Sequence, residues 1–148
     1  MLGELLSNRI LLAGITGWAS AQVLKAVIHA ILTKDFSIER LFGDGGMPSG
    51  HSATVSAMAM KSLMIYGAGS FEFAISAMLA IIVMHDAMGV RLETGKQAKI
   101  INEMMELLTK KDFVKAFSED KLEEFVGHTP VQVGAGCVLG LLIGGLLY

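Results

Sequence analysis

Residues 10–32 read ILLAGITGWASAQVLKAVIHAIL, an apolar run whose one formally charged side chain is Lys25. A helix needs roughly 20 predominantly apolar residues to cross the ~30 Å hydrocarbon core of a bilayer, and this run is long enough. The residues before it, MLGELLSNR, contain an acidic side chain and lack the cationic region that begins a signal peptide. The run therefore predicts a retained membrane anchor.

Three further apolar segments follow along the 148-residue chain, at about residues 52–67, 71–88 and 131–148. The first two of these are short, and the sequence GAGS at 67–70 between them predicts a tight turn and a helical hairpin. Short helices cross a bilayer by tilting or by thinning it, and re-entrant packing of segment 52–67 is the alternative. Because 53% of the residues are hydrophobic and 18% are charged, we predict an all-α, polytopic helical membrane protein with about four transmembrane segments in one domain, 1–148.

The stretch at about 92–127 is polar and separates the last two apolar segments. Apolar residues recur in it at helical spacing: Ile100, Ile101, Met104, Met105, Leu107 and Leu108. They predict an amphipathic helix that rests on the membrane surface. Thr109 followed by Asp112, and Ser118 followed by two acids, fit the start signals of two further short helices.

Lysine and arginine concentrate in this insert and in the loop that contains Arg40. The positive-inside rule therefore places both polar loops in the cytoplasm and both termini outside, in a multi-pass protein of the cell membrane. Lys61 and Glu72 fall toward the opposite side, where we expect them to be charges at the membrane boundary.

Two apolar segments repeat a small residue every four positions. The repeats are Ala13, Gly17 and Ala21 in the first segment and Gly136, Gly140 and Gly144 in the last. Such faces let helices approach closely in lipid, either within one chain or between two copies. They predict close helix packing and leave a homo-oligomer through either face as an alternative.

The composition disfavours several classes of function. A net charge of −2 supplies no basic field for nucleic acid. Cys137 is the single cysteine, and the four histidines lack a metal-ligand spacing such as HExxH. We therefore expect no nucleic-acid partner, no metal and no cofactor.

The sequence GGMPSGHSA at 45–53 carries the clearest functional pattern. Its glycines allow a tight turn, and Pro48 fixes the backbone where the second apolar segment begins. Backbone N–H groups at Ser49, Gly50 and the first helical residues can then converge on an anion, for which phosphate is the usual ligand. His51 adds a side chain that can donate a proton near neutral pH. The pattern predicts a site that handles phosphate esters.

The predicted topology places other reactive side chains near the same membrane face as His51. They are Arg40, Asp86, Arg91 and His128, at or near the ends of different segments. Lys25 lies within the first segment, with Gln22 and His29 on the same helical face. A charge at membrane depth costs ~2.5–3.5 kcal/mol on insertion scales, so we expect Lys25 to face a polar partner or a wet cavity.

The stretch GMPSGHSA at 46–53 resembles the second signature of the phosphatidic acid phosphatase type 2 superfamily, which contains membrane lipid phosphatases and acid phosphatases. Other stretches resemble a divergent branch of that superfamily, formed by small membrane proteins. They are AQVLK at 21–25, DAMGVR at 86–91 with Gly95 and Gln97-Ala98 after it, and GHTP at 127–130. These motifs span about residues 20–136, and their order is specific.

The resemblance implies a phosphatase in which one histidine attacks phosphorus and a second protonates the leaving group. Carried over to this sequence, His128 is the nucleophile and His51 is the general acid. A phosphohistidine intermediate of this kind divides one difficult displacement into two easier steps.

The resemblance also implies residues that bind the phosphoryl oxygens. Lys25 matches the lysine of the first signature and Arg91 matches the arginine of the third. Ser49 and Gly50 would offer backbone N–H groups. The arginine-proline pair of the first signature is absent from this sequence, and Arg40 is a substitute for its arginine.

Two features depart from the superfamily pattern. Its third signature places arginine and histidine close together in sequence, whereas the polar insert separates Arg91 from His128 here. Gln132 stands where an aspartate is expected after the histidine. An amide can hold the tautomer of an imidazole, but it cannot stabilise an imidazolium by charge. Asp86 is therefore a further candidate for the catalytic carboxylate, or else the partner of Arg91.

These observations favour a membrane phosphatase that hydrolyses a phosphate monoester or diphosphate, with a membrane lipid phosphate as the expected substrate. One alternative is a non-catalytic binder or transporter of anionic lipids that keeps the phosphate cradle, and Gln132 would suit it. Another is a structural membrane subunit assembled through the glycine-rich faces. For His51 the structural alternative is a helix cap or a histidine at the membrane interface, and for His128 it is a helix cap.

Overall fold

The computed structural model describes residues 2–34, 46–110, 122 and 127–147. The helices in these residues are α1 (Leu2–Ser7), α2 (Arg9–Thr33), α3 (Gly50–Tyr66), α4 (Phe71–Met88), α5 (Val90–Lys110) and α6 (Pro130–Leu146). The described part of the chain contains no β-strand, and the predicted all-α class is confirmed. The four apolar segments correspond to α2, α3, α4 and α6, while the short α1 was not predicted.

Polar side chains set the ends of these helices. Asn8 caps α2 by accepting hydrogen bonds from the Ile10 and Leu11 N–H groups, both at 3.1 Å. The Ser70 hydroxyl caps α4, and the Ser70 N–H donates to the Gly67 carbonyl in the turn between α3 and α4. Gly67 has a φ of +83°, which favours glycine. The predicted helical hairpin and its turn are therefore present.

The polar insert begins with the predicted amphipathic helix, although α5 starts earlier than expected, directly after Gly89 ends α4. The apolar side chains of Ile100, Ile101, Met104 and Leu107 on α5 are exposed. The Asn102 side chain holds the backbone of Leu122, donating one hydrogen bond at 2.9 Å and accepting one at 3.0 Å. The two short helices predicted after α5 lie outside the described residues.

The central helix is α3, which packs against α2, α4 and α6. Glycine makes the closest of these approaches possible. Cβ atoms added to Gly136, Gly140 and Gly144 would lie 2.4, 2.3 and 2.5 Å from the carbonyl oxygens of Ser49, Ala53 and Ala57, respectively. Both series advance by four residues, so α6 lies against α3 along the whole glycine face. Gly17 of α2 approaches the same Ala53 carbonyl, which a Cβ would meet at 2.8 Å.

Both small-residue faces are therefore used for packing within the chain. The small residues of α2 (Ala13, Gly17 and Ala21) and of α6 (Gly136, Gly140 and Gly144) are all buried. The homo-oligomer that the sequence analysis left as an alternative through these faces stays a prediction.

Lys61, which the sequence analysis expected to be a charge at the membrane boundary, is buried within the described part of the chain. Its side chain is 4% exposed, and its Nζ donates a hydrogen bond to the Leu147 carbonyl at the end of α6. The last carbonyls of a helix lack intrahelical donors and carry partial negative charge, so an ammonium group is compensated there. Lys61 thus ties the C-terminal end of α3 to the C-terminal end of α6.

Two helical runs, Arg9–Thr33 and Phe71–Leu107, are long and apolar enough to cross a membrane, judged by length and composition. Helix α6 is apolar but shorter. Helix α3 has 17 residues and is about 25 Å long at 1.5 Å per residue. The number of crossings and the predicted orientation, with both termini outside, stay predictions.

The glycine face predicts a specific loss of stability. Gly140→Ala is expected to destabilise the fold by about 1–3 kcal/mol, because its methyl group would meet the Ala53 carbonyl and force α6 away from α3. Gly134→Ala is the matched control on the same helix, since a Cβ at Gly134 meets nothing within 4 Å. Thermal unfolding of the purified proteins in detergent, followed by circular dichroism, measures the difference. Equal melting temperatures for the two variants would contradict this packing.

Candidate functional site

Three helix ends meet at one end of the bundle. The Ser49 N–H, just before α3, donates to the Gln132 carbonyl in the first turn of α6 at 3.0 Å. The His128 N–H, just before α6, donates to the Ala87 carbonyl in the last turn of α4 at 3.1 Å. The beginnings of α3 and α6 therefore lie beside the end of α4, where the sequence analysis expected the motifs to converge.

The two histidines of the motifs lie close together. Their ring centroids are 6.4 Å apart and the ring planes are inclined at 56°. His128 is 2% exposed, whereas His51 is exposed. This separation lets one phosphoryl group contact both rings, with the buried ring held in place and the other open to a ligand. The catalytic roles of His51 and His128 stay predictions.

Hydroxyl side chains, and not the histidines, cap the two helices that begin here. The Ser49 Oγ accepts from the Ser52 N–H at the start of α3. The Thr129 Oγ1 accepts from the Gln132 N–H at the start of α6, and the Gln132 side chain completes a capping box. The two caps are therefore Ser49 and Thr129, not His51 and His128, while the alternative that His51 is an interface histidine stays a prediction.

Lys25 reaches the first turn of α3 from the middle of α2. It is 7% exposed. A Cβ built on Gly50 would lie 4.0 Å from the Lys25 Nζ, and one built on Gly46 would lie 3.7 Å from the Lys25 Cδ. The loop and the helix start thus enclose the lysine, and its ammonium group lies where a helix N-terminus attracts an anion. Gly46, with a φ of +94°, needs to be glycine at this point.

Gln22 adds an unsatisfied polar atom to the same place. Its side chain lies beside Gly50, where a Cβ would meet the Gln22 Nε2 at 3.7 Å. Its Oε1 is buried and has no hydrogen-bond partner among the described residues. A buried acceptor left in this state costs about 1–3 kcal/mol. Gln22 is therefore a candidate ligand-contacting residue, which the sequence analysis placed on the polar face of α2 without giving it a role.

The Ser49 backbone donor is not available in the way the resemblance implied. The Ser49 N–H is used by the Gln132 carbonyl, and the Ser49 Oγ accepts from the Ser52 hydroxyl at 3.0 Å. Ser49 therefore builds the junction of α3 and α6 instead of offering its amide to a ligand. The amides of Gly50 and His51 follow it as the first N–H groups of α3, which have no intrahelical acceptor.

Asp86 and Arg91 form an ion pair across the junction of α4 and α5. The Arg91 Nε lies 2.9 Å from the Asp86 Oδ2, with both side chains nearly half exposed. The pairing of Asp86 with Arg91 was one of the two roles expected for this carboxylate. A Cβ built on Gly127 would lie 2.3 Å from the Leu92 Cα, so the residue before His128 rests directly on the backbone after Arg91. The polar insert therefore returns to Arg91 despite its length.

Gln132 orients the buried histidine. Its Oε1 accepts from the Thr129 N–H at 2.9 Å, which fixes the oxygen and not the nitrogen of the amide at this position. The His128 Nδ1 lies 3.4 Å from the same oxygen. A ring nitrogen that faces an acceptor carries the hydrogen, so this contact favours the tautomer with its lone pair on Nε2. A carboxylate at this position would orient the imidazole ring and stabilise its cationic form. The amide of Gln132 orients the ring but adds no negative charge.

Arg40 lies outside the described residues, and its role in phosphate binding stays a prediction. Within the residues that are described, no group of three or more His, Cys, Asp or Glu side chains is placed to hold a metal. Trp18 lies beside the start of α3, where a Cβ on Gly50 would meet its Cδ1 at 3.6 Å. Trp18, Gln22 and Lys25 lie on one face of α2 because they are spaced by about one helical turn. This spacing was the sequence signal that the three side chains could approach the same site.

Comparisons with known proteins identify the family of the chain. The chain is 38% identical to the uncharacterized membrane protein YuiD of Bacillus subtilis (strain 168), over 95% of this chain and 94% of that protein. No solved structure matches the chain significantly. A family model described as the Divergent PAP2 family matches residues 6–143, which contain all of the motifs above. The chain therefore belongs to the Divergent PAP2 family, as its resemblance to the phosphatidic acid phosphatase type 2 superfamily predicted.

Proposed function

We propose that this protein is a membrane phosphatase that removes phosphate from a lipid phosphomonoester or diphosphate through a phosphohistidine on His128. The observation that carries the proposal is the 6.4 Å separation of the His51 and His128 rings beside the N-terminus of α3. A cation from Lys25 at the same helix end supports it. Membership of the Divergent PAP2 family supports a phosphatase-like ancestry.

The first step is attack of the His128 Nε2 on phosphorus, with cleavage of the phosphorus–oxygen bond to the leaving group. The His51 imidazolium gives its proton to the departing oxygen, which leaves as a neutral alcohol from a monoester or as a lipid monophosphate from a diphosphate. In the second step water attacks the phosphohistidine, neutral His51 accepts a proton from that water, and inorganic phosphate departs. Lys25, Arg91 and the first amides of α3 stabilise the charge on the phosphoryl oxygens in both steps.

The direct test measures phosphate release by the purified protein in detergent with EDTA present. A soluble aryl phosphate and a long-chain lipid phosphate serve as substrates, and vanadate serves as the inhibitor. We expect release from at least one substrate, with inhibition by vanadate because its trigonal-bipyramidal complex resembles the transferring phosphoryl group. No release from a folded protein that still binds phosphate would overturn the phosphatase proposal.

Gln132 favours a second candidate function, a binder or transporter of anionic lipids that does not turn over. In this case the phosphate cradle would remain while the charge that stabilises a phosphorylated imidazole is missing. Saturable binding of a lipid phosphate without phosphohistidine or released phosphate would identify the binder. Detection of phosphohistidine would exclude it.

Gln132→Glu distinguishes orientation from charge. A glutamate keeps the capping box with Thr129 and adds a carboxylate about 3.4 Å from the His128 Nδ1. We expect phosphate release to rise by roughly tenfold, because a carboxylate stabilises the cationic ring and an amide does not. Gln132→Leu, which removes the acceptor, should lower release. Single-turnover phosphate release measures both, and a slower Gln132→Glu variant would contradict this account of the amide.

A further inference from the structure

An apolar groove of about 420 Å³ lies between α2, α3 and α4. Leu11, Ile15 and Trp18 form its wall on α2, Met58 lies on α3, and Val83 lies on α4. The groove is open at its side, since Ile15 is 53% exposed and Trp18 is 41% exposed. Its wall on α2 belongs to a helix that is long and apolar enough to cross a membrane. The groove therefore faces the hydrocarbon of the bilayer when that helix spans it.

One end of the groove is the candidate phosphate site. His51 lines the groove and also pairs with His128. Thr54 is the other polar residue in the lining, and its hydroxyl is satisfied by donating to the Gly50 carbonyl at 2.8 Å. A ligand in the groove would thus meet a reactive polar group at His51 and apolar walls elsewhere.

The groove runs along the helices away from the histidine pair. At one end Trp18 lies beside Gly50, the first residue of α3. One turn earlier on α2, a Cβ on Gly14 would meet the Met58 Cγ at 2.8 Å. From His51 to Met58 the helix rises by about 10 Å. The groove therefore extends from the candidate phosphate site along the helices, with a shape that suits one hydrocarbon tail.

We propose that this groove binds the hydrocarbon tail of a lipid whose phosphate lies between His51 and His128; the headgroup part rests on the proposed function. Lipid tails are already out of water in a bilayer, so moving a tail into the groove gains little hydrophobic free energy. The groove therefore selects a substrate by the fit of its tail and by the position that the bound tail gives to its phosphate. The groove thus limits the substrate to an amphiphile whose phosphate is attached next to a single hydrocarbon tail.

Trp18 provides a readout that does not depend on turnover, because it is the single tryptophan of the chain and lines the groove. The protein is placed in nanodiscs of phosphatidylcholine. An alkyl phosphate with bromine atoms on its chain is compared with the brominated alcohol of the same length. We expect the phosphate probe to quench Trp18 at a several-fold lower membrane fraction than the alcohol. Equal quenching by both probes would mean ordinary bilayer contact and would overturn the proposal.

A variant that fills the groove tests its walls. Ile15→Phe should weaken quenching by the phosphate probe by about tenfold, the lower range for a misfit of one methylene in an apolar pocket. Ile75→Phe on α4 is the matched control, since Ile75 is 54% exposed, as Ile15 is 53% exposed, and does not line the groove. Equal quenching curves for the two variants would overturn the proposal.

Release of phosphate from a soluble aryl phosphate in the same nanodiscs separates the two proposals. Hydrolysis of this ester without preferential quenching by the alkyl phosphate would leave the phosphatase and overturn the groove. Preferential quenching that Ile15→Phe weakens, without hydrolysis of any ester, would support the groove and overturn the phosphatase. Ile75→Phe, which lies outside the groove, should leave both the preferential quenching and the hydrolysis of the soluble ester unchanged.

Discussion

Replacing His51 with alanine is expected to lower phosphate release by about 10²- to 10⁴-fold, the range for loss of a positioned acid or base, and replacing His128, the nucleophile, should lower it at least as much. The rings lie 6.4 Å apart beside the N-terminus of α3, so each variant removes one side of the same site. His128→Ala should also abolish phosphohistidine. His51→Ala should still form it from an aryl phosphate, whose leaving group needs little protonation.

The control for these variants is His29→Ala. The His29 ring contacts the Thr33 hydroxyl at 3.2 Å within α2 and lies outside the histidine pair. The rate of steady-state phosphate release is measured for all three variants and is divided by the amount of folded protein, which gel filtration determines. Full activity in either His51→Ala or His128→Ala would contradict the mechanism.

Replacing Lys25 with methionine is expected to lower kcat/KM by about 10²- to 10³-fold, the range for removing one preorganised group that stabilises a developing anion. Its ammonium group lies over the first turn of α3, where the charge of a phosphoryl group would be greatest. Methionine keeps most of the volume of the lysine stem, so the loss reports the charge.

Lys61→Met is the matched control for Lys25→Met. Both lysines are buried, at 4% and 7% exposure, but Lys61 lies at the opposite end of α3 and contacts the end of α6. We expect Lys61→Met to change the melting temperature and to leave kcat/KM close to that of the native protein. Equal losses of kcat/KM in the two variants would show that a buried charge matters only for folding.

The helices were predictable because each apolar segment is bounded by a strong local signal. Asn8, Ser49, Ser70 and Thr129 are hydroxyl or amide side chains that cap α2, α3, α4 and α6. Local capping is a property of neighbouring residues, so sequence alone can reveal it. The convergence of the histidine motifs was also predictable, because it followed from the order of the helix ends.

The partners of individual side chains were less predictable. A repeat of glycines allows close approach, but only the packed chain shows that α3 lies against the face of Gly140. Lys61 lies near the end of an apolar segment, which suggested a charge at the membrane boundary, whereas its acceptor is a carbonyl 86 residues away. The Ser49 amide is likewise used by Gln132 on another helix. These contacts depend on tertiary packing, which a local pattern does not encode.

In the candidate site, too, some features followed from local sequence motifs and others depend on tertiary packing. His51, Lys25 and His128 were found from their motifs, whereas the apolar groove beside His51 combines side chains of three helices. The sequence identified residues 10–32 as an apolar membrane segment, but it did not indicate that Ile15 and Trp18 line a cavity. Gln22 was placed beside Lys25, but the absence of a partner for its Oε1 among the described residues became visible only in the fold.

The most direct test of the account is the structure of the protein with vanadate bound, determined in nanodiscs by electron cryomicroscopy. We predict vanadium bonded to the His128 Nε2, one vanadate oxygen within hydrogen-bond distance of the His51 ring, and another facing the Lys25 ammonium. Vanadate bound elsewhere, or held by one histidine while the other ring faces away, would contradict a shared phosphoryl site.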